Sequence, residues 1–347
     1  MMKNFFSAIA ICCVVVMVAS CAQKQKPTEL HIFNWGDYMD PAAVAQFEKV
    51  NHVKIFMDNF DSNEAMYAKL KAGATGYDLV IASSYMMSIM NNEKMLKPID
   101  KSKLSNITNI DNNYLKLAID PTMTYSVPYM VSFVGIAYNT DKVANFEPSW
   151  AMFNREDLKG RMTLLDDVRE TIGAALKYRG YNFNSTDDKE LAEARDVIIG
   201  WKKNIAKFDV DEAKRGLDAG EFHLIHTYNG DALQLMSTRK DIAFAAPKEG
   251  TAMNCDDMVI PVTAKNDELA YKFINFMLEP SVSAASMNYL QYLAPNTEAQ
   301  KLMDPSFMNN PAVYPTPEVL SKSDILKDLG ADNAKYNKIW DEIKAAN

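Results

Sequence analysis

The stretch "LHIFNWGDYMDP", Leu30 to Pro41, reads as an extended apolar run that stops at Gly36, carries Asp37 and Tyr38, and meets Pro41 at the start of a helical pattern. The run ends in groups ill suited to a packed core: an indole, a carboxylate and a phenol. Farther on, "HVKIFMDNF" and "YDLVIASS" repeat the β-rich character, while "DPAAVAQFEKV", "SNEAMYAKLKAG" and "YMMSIMNNEKML" carry helical spacing. This βαβαβ rhythm indicates a parallel sheet covered by helices. Ligands of such sheets sit in the crevice beyond the carboxyl ends of the strands. Trp35, Gly36, Asp37 and Tyr38 stand at one such end, and Ser83, Ser84 and Tyr85 at another. Gly36 is expected to make the turn, because it lacks the Cβ that restricts other residues.

Beyond the long extended segment "SVPYMVSFVGIAYNT", a second alternation begins. "RMTLLDD" leads into "VRETIGAALKYRG", and "FHLIHTYNGDAL" precedes "DIAFAAPKEG"; "DDMVIPVTA" and the amphipathic "NDELAYKFINFMLEP" follow. Lobe, crossover, second lobe and return is the layout of a hinged two-domain binder. A chain of about 325 residues, left once the leader described next is removed, suits two lobes better than one core.

The amino terminus reads as that leader. Lys3 is the only charge in the first twenty residues, and the 14-residue hydrophobic run Phe5–Val18 is followed by "VASC", Val18 to Cys21. A basic start, a run too short for a comfortable membrane span and small residues before a cysteine predict a bacterial lipoprotein signal. Cleavage leaves Cys21 first, lipidated and anchored by several acyl chains. The polar "AQKQKPTE", Ala22 to Glu29, is expected to be a tether. With Cys12 and Cys13 gone and Cys21 lipidated, Cys255 has no thiol partner for an internal disulfide. Loss of Lys3 takes the net charge from −8 to −9. That balance, with no Lys/Arg run, argues against nucleic acid and favours cations as partners.

Carboxylates beside strand ends have an ordinary reading as well. In "LLDDVRETIG", Asp166 or Asp167 can cap a helix, and Glu170 lies three residues after Asp167 on the same face, as in a capping box. Tyr228 and Asn229 in "HTYNGDAL" suit a turn from strand to helix. Asp256 and Asp257 in "NCDDMVIP" read as solvated turn carboxylates ahead of an apolar strand. His223 and His226 fall on opposite faces of a strand-like run, with no accompanying cluster of metal ligands. No nucleophile elbow, zinc-protease, dinucleotide or phosphate-loop motif is present in the sequence. No cofactor, metal or enzymatic activity is expected.

From about Leu30 to its end the chain resembles the spermidine/putrescine-binding proteins of bacterial polyamine ABC transporters. The resemblance is carried by "FNWGDYMDP", "FDSNEAMYAKL", "GYDLVIASSY", "DKSKL", "LDDVRETIGAAL", "PKEG" and "AKNDELAYKFINFMLEP". It implies an α/β periplasmic-binding-protein fold of the second type, each lobe a mixed, mainly parallel sheet flanked by helices. The expected organisation is a leader over 1–20 and a lipidated cysteine with tether over 21–29. Residues 30–132 with 256–300 would form one lobe, and 133–255 with 301–347 the other. It further implies a monomer anchored on the periplasmic side that delivers putrescine or spermidine to an inner-membrane ABC permease. The family's ligand positions fall on Trp35, Asp37, Ser83, Tyr85, Asp167, Glu170, Tyr228, Asp256 and Tyr292. Asp37 stands where some members carry Glu, and Tyr228 where several carry Trp. Asn254 replaces a Trp, and Leu326 a Gln, of spermidine-preferring members. The alternatives left open are a same-fold binder of another cationic solute and a polyamine sensor, with a polyamine-modifying enzyme more remote.

Overall fold

Strand β1, Thr28–Trp35, is buried on both faces: Leu30 and Ile32 enter one core, while Phe33 enters another on the opposite side. β3, Leu79–Ser83, repeats the pattern, sending Leu79 and Ile81 to the first core and Val80 and Ala82 to the second. Period-two alternation with apolar residues at both phases gives a strand covered on either side by helices. β2, Val53–Phe60, lies at the sheet edge on the other side of β1, parallel to it over its whole length. The computed structural model describes residues 28–116 and 118–346; the expected leader, Cys21 and the tether up to Pro27 lie outside them. Thr28 and Glu29, assigned to the tether from sequence, instead extend β1, because Val53 and Lys54 of β2 offer them backbone partners.

The remaining strands are β4 (Val127–Asn139), β5 (Met162–Leu164), β6 (Lys207–Phe208), β7 (Leu224–Tyr228), β8 (Ile242–Ala245), β9 (Ala252–Val259) and β10 (Asp324–Ile325). Their order is β2-β1-β3-β9-β4-β7-β5-β6, with β10 beside β9 and β8 beside β4. The βαβ parts pair in parallel, whereas β4 and β9 pair antiparallel where the lobes meet. β4 belongs to both halves. Val127 to Phe133 pair with β9, and Val134 to Asn139 pair with β7 and β8. Gly135 permits this change of partner: a Cβ there would lie 2.5 Å from the Phe244 ring and 2.7 Å from the Ala245 carbonyl oxygen.

The second lobe has its own core, built on Trp150, Phe153, Leu164, Ile172, Leu176 and Trp201. Burying each such side chain contributes roughly 1.5–3 kcal/mol, and no disulfide is needed to supplement it. The carboxyl-terminal segment, expected in this lobe over 301–347, is shared between both. Met303, Ala312 and Val313 join the first-lobe core and Leu326 its opposite face, while Tyr336, Ile339 and Ile343 join the second-lobe core. Residues 252–255, also expected in the second lobe, form the start of β9 in the first sheet. Among the described residues no helix is long and apolar enough to cross a membrane.

Candidate ligand-binding cleft

Strand ends from both halves converge on one cleft, lined by aromatic rings and carboxylates. β1 and β3 run parallel, so Trp35 and Ser83 emerge at the same edge of the first sheet. β9 runs against β3 and places Asp256 directly beside Ser83, whose hydroxyl donates to Asp256 Oδ1 at 2.9 Å. From the other half, β7 delivers Tyr228 at its carboxyl end. Tyr228 packs against the cores of both lobes. Tyr292 lies on Gly230, where any Cβ would meet its ring at 2.2 Å. That missing side chain is what lets the phenol reach the cleft.

Of the sequence-predicted residues, Trp35, Asp37, Ser83, Tyr228, Asp256 and Tyr292 line this cleft. Tyr85, Asp167 and Glu170 lie behind its wall. Tyr85 borders a second, smaller and largely apolar chamber that shares Ser83 and Asn254 with the cleft. Its hydroxyl donates to Glu64 Oε1 at 3.2 Å. Asp167 does cap a helix: it accepts from the backbone N–H groups of Arg169 at 2.9 Å and Glu170 at 3.0 Å, at the start of Val168–Tyr178. Glu170 does not complete a capping box. Its Oε1 instead accepts from Asn254 across the lobes, and its buried Oε2 has no partner.

Two local readings need correction. Asp256 and Asp257 are not turn carboxylates; both are buried inside β9, held there by pairing with β3 and β4. The turn after β1 is taken by Asp37, at φ 48°, rather than by Gly36. Aspartate tolerates that left-handed region better than most residues. The strand end also carries Tyr38, missed as a ligand candidate, which packs edge-on against Tyr129 and Tyr292 at 5.6 and 5.2 Å between ring centroids. Gly36, Phe60, Asp61, Ser132, Val210, Lys214, Asp231 and Asn254 complete the lining. Of these, the sequence singled out Gly36, as a turn, and Asn254, through the family resemblance.

Burial governs the electrostatics. It pushes the Asp256 carboxyl up to about 6, against the pull of Tyr38, Ser83 and Trp35 facing it. The Tyr38 hydroxyl and Trp35 indole N–H are nonetheless buried without a completed hydrogen bond. Burial, then repulsion by Asp167, raises Glu170 well above the carboxylate range. Burial also raises Asp167 and, with Asp167's charge added, takes Glu64 to about 7. The nearby guanidinium of Arg169 is turned to the Lys327 carbonyl and Asn184 Oδ1, both at 2.9 Å. Among the described residues, no salt bridge engages Asp37, Asp167, Glu170 or Asp256. Asp256 is buried with no cation beside it among the described residues, and Asp167 and Glu170 share the single guanidinium of Arg169, so this buried set favours the arrival of a further cation.

The pattern of lobes, crossing strands and central cleft has relatives. Residues 42–316 match the family of bacterial extracellular solute-binding proteins. The chain belongs to that family. It is similar to the spermidine/putrescine-binding periplasmic protein of Escherichia coli K12, with 36% identity over 328 residues and 94% of each chain covered. Among solved structures it is similar to a putative spermidine/putrescine ABC transporter protein from Listeria monocytogenes. The identity there is 34% and the TM-score 0.88, covering 92% of this chain and 100% of that one. The TpPotD lipoprotein of Treponema pallidum is similar at 33% identity and TM-score 0.80, covering 91% and 99%. In open α/β sheets ligands sit beyond the carboxyl ends of the strands, which is where this cleft lies.

Proposed function

We propose that this solute-binding protein captures a polyamine, putrescine or spermidine, outside the cytoplasmic membrane and delivers it unchanged to an ABC permease. The observation that carries the reading is the set of buried carboxylates, Asp256, Glu170 and Asp167, raised by desolvation and lacking a salt-bridge partner beside a cleft walled by aromatic rings. An alkyl polyamine presents ammonium groups separated by methylenes. Carboxylates accept charge-assisted hydrogen bonds from the ammoniums. Trp35, Tyr228 and Tyr292 cover the methylenes and attract the cations through their faces, each contact contributing about 0.5–2 kcal/mol. The names of the similar proteins from Escherichia coli and Listeria support the same ligand class. In this reading Tyr85, Asp167 and Glu170 meet the ligand when the lobes close, and the closed pair presents one joined surface to the permease. Cys21 supplies a lipid tether and takes no part in the site, and the protein acts as a monomer.

Native mass spectrometry of the purified protein tests ligand identity, followed by calorimetry with putrescine, spermidine, arginine and a neutral sugar. Polyamine mass and polyamine heat are expected. Binding of arginine or sugar alone would overturn the reading. A version starting at Ala22 should bind with unchanged affinity, and Cys21→Ser should release the protein from the membrane or leave it unprocessed. Loss of binding in the shortened protein would give the anchor a role that the reading denies.

A further inference from the structure

One end of the cleft already contains an ammonium. Lys214, on the helix Asp211–Ala219, lines the cleft and pairs with Asp231 at 3.2 Å. Its Nζ also donates to Gln234 Oε1, and Gln234 is fixed in turn by its Nε2 donating to the Leu290 carbonyl at 2.9 Å. Asp231 sits one residue after Gly230, on which the Tyr292 ring rests, so the pair adjoins the aromatic wall. Asp37 reaches the same end from the other lobe, and its charge opposes that of Asp231. Here two carboxylates face one resident cation. At the Asp256 end, by contrast, the carboxylates have no salt-bridge partner among the described residues.

We infer that Lys214 is a specificity-determining residue: its ammonium, tethered to Asp231 and Gln234, fills the cation position at the Asp37 end and holds the ligand to the two-charge class of alkyl polyamines. The inference rests on the polyamine reading above. A diamine satisfies the Asp256 end with its charged groups and leaves the Lys214 end undisturbed. A longer triamine or tetraamine that extends toward Asp37 sets an ammonium against a like charge. Rejection by a built-in repulsive group is a common route to specificity. A neutral side chain at position 214 would free Asp231 and Asp37 together to receive a third ammonium.

The test is calorimetric titration of the mature chain with putrescine, spermidine and spermine at one pH and ionic strength. Lys214→Met keeps the apolar stem and removes the charge, and should raise the spermidine-to-putrescine affinity ratio at least tenfold. Asp231→Asn leaves Lys214 uncompensated and should lower the same ratio at least threefold. Lys214→Arg retains the charge and should retain the wild-type order of ligands. A purely structural role would change both affinities by one common factor. If Lys214→Met does not fold, Lys214→Gln carries the same expectation. A ratio within threefold of wild type in the neutral variant overturns the inference while leaving the polyamine reading standing. A wild type that binds none of the three amines overturns both.

Discussion

The helix Val168–Tyr178 ends in two kinds of ion chemistry. At its carboxyl end Lys177 reaches Asp324 at 2.5 Å, and Asp324 also accepts from Asn182 Nδ2 at 2.7 Å and the Phe183 backbone N–H at 3.0 Å. That acid is matched by the protein itself, and it ties a second-lobe helix to β10 on the first sheet. At the amino end, Asp167 and Glu170 are more deeply buried than Asp324, yet among the described residues no salt bridge pairs them and only the guanidinium of Arg169 lies near. A buried pair complete within the fold holds a structure together. A buried carboxylate left incomplete raises its pKa and waits for a charge from outside.

Substitution at the two ends should therefore split stability from binding, and this is the largest effect expected. Glu170→Gln and Asp256→Asn should each weaken polyamine binding by roughly 2–5 kcal/mol, the cost of truncating one partner of a desolvated charge pair. Both should fold, because the carboxylates they remove are uncompensated. Lys177→Met should do the reverse. It strands Asp324 and should cost about 3 kcal/mol of folding free energy, the lower end for breaking a buried pair, since Asp324 keeps some exposure. Denaturant melts and titrations on all three variants check this. Wild-type affinity in both carboxylate variants would break the comparison at its amino end.

That contrast explains what the sequence could and could not disclose. Strand ends at Trp35, Ser83 and Tyr228 were legible because alternation and turn residues are local properties of the chain. Asp256 and Asp257 looked like turn residues because "NCDD" is polar, and only pairing with β3 and β4 draws them into a strand. Asp167 was readable as one of two candidate caps three residues before Glu170, and gave no local sign of its proximity to Glu64 and Tyr228. Lys214 was illegible for the same reason. Its pairing with Asp231 depends on how two helices meet, which no spacing along the chain encodes.

Protonation gives a second and smaller way to sharpen the comparison. Burial holds the folded, ligand-free Asp256 carboxyl at about 6, against 3.8 for the ordinary group. Between those values the folded state keeps a proton that the unfolded chain releases. This group's contribution to stability is thus complete below about pH 4 and is lost as pH rises through about 6. A bound ammonium reverses the preference by stabilising the ionised form. Affinity for putrescine should therefore fall about tenfold between pH 7.5 and 5, the linkage of one proton taken up below its pKa. Asp256→Asn should flatten both the affinity profile and the loss of ligand-free stability between about pH 4 and 6. An Asp256→Asn profile as steep as wild type would assign the proton to a different member of the carboxylate set.

The smallest expected effect concerns which polyamine is preferred, and it depends on the chamber behind Ser83. A third ammonium placed there needs an acceptor. Leu326 is buried in its wall beside Ile119, Val131, Met253 and Ile325, and offers none. The amide of Asn254 is committed through its Nδ2 to Glu170, leaving only Oδ1 without a partner. Asn254 Oδ1 can take one of an ammonium's three donors, and a donor left unfilled in such a place costs roughly 1–3 kcal/mol. The extra methylenes of the longer ligand offset part of that, at about 0.8 kcal/mol for each one buried. The two terms nearly cancel, so putrescine should bind at least as tightly as spermidine, with spermine weaker than both. Leu326→Gln supplies the missing acceptor and should move the preference toward spermidine, acting at the opposite end of the cleft from Lys214. Paired titrations at one pH and salt decide it. A wild type that prefers spermidine tenfold or more, about 1.4 kcal/mol, would show that the chamber accepts charge despite its apolar wall. An unmoved preference in Leu326→Gln would clear Leu326 alone, and would leave selectivity to the resident ammonium at the other end.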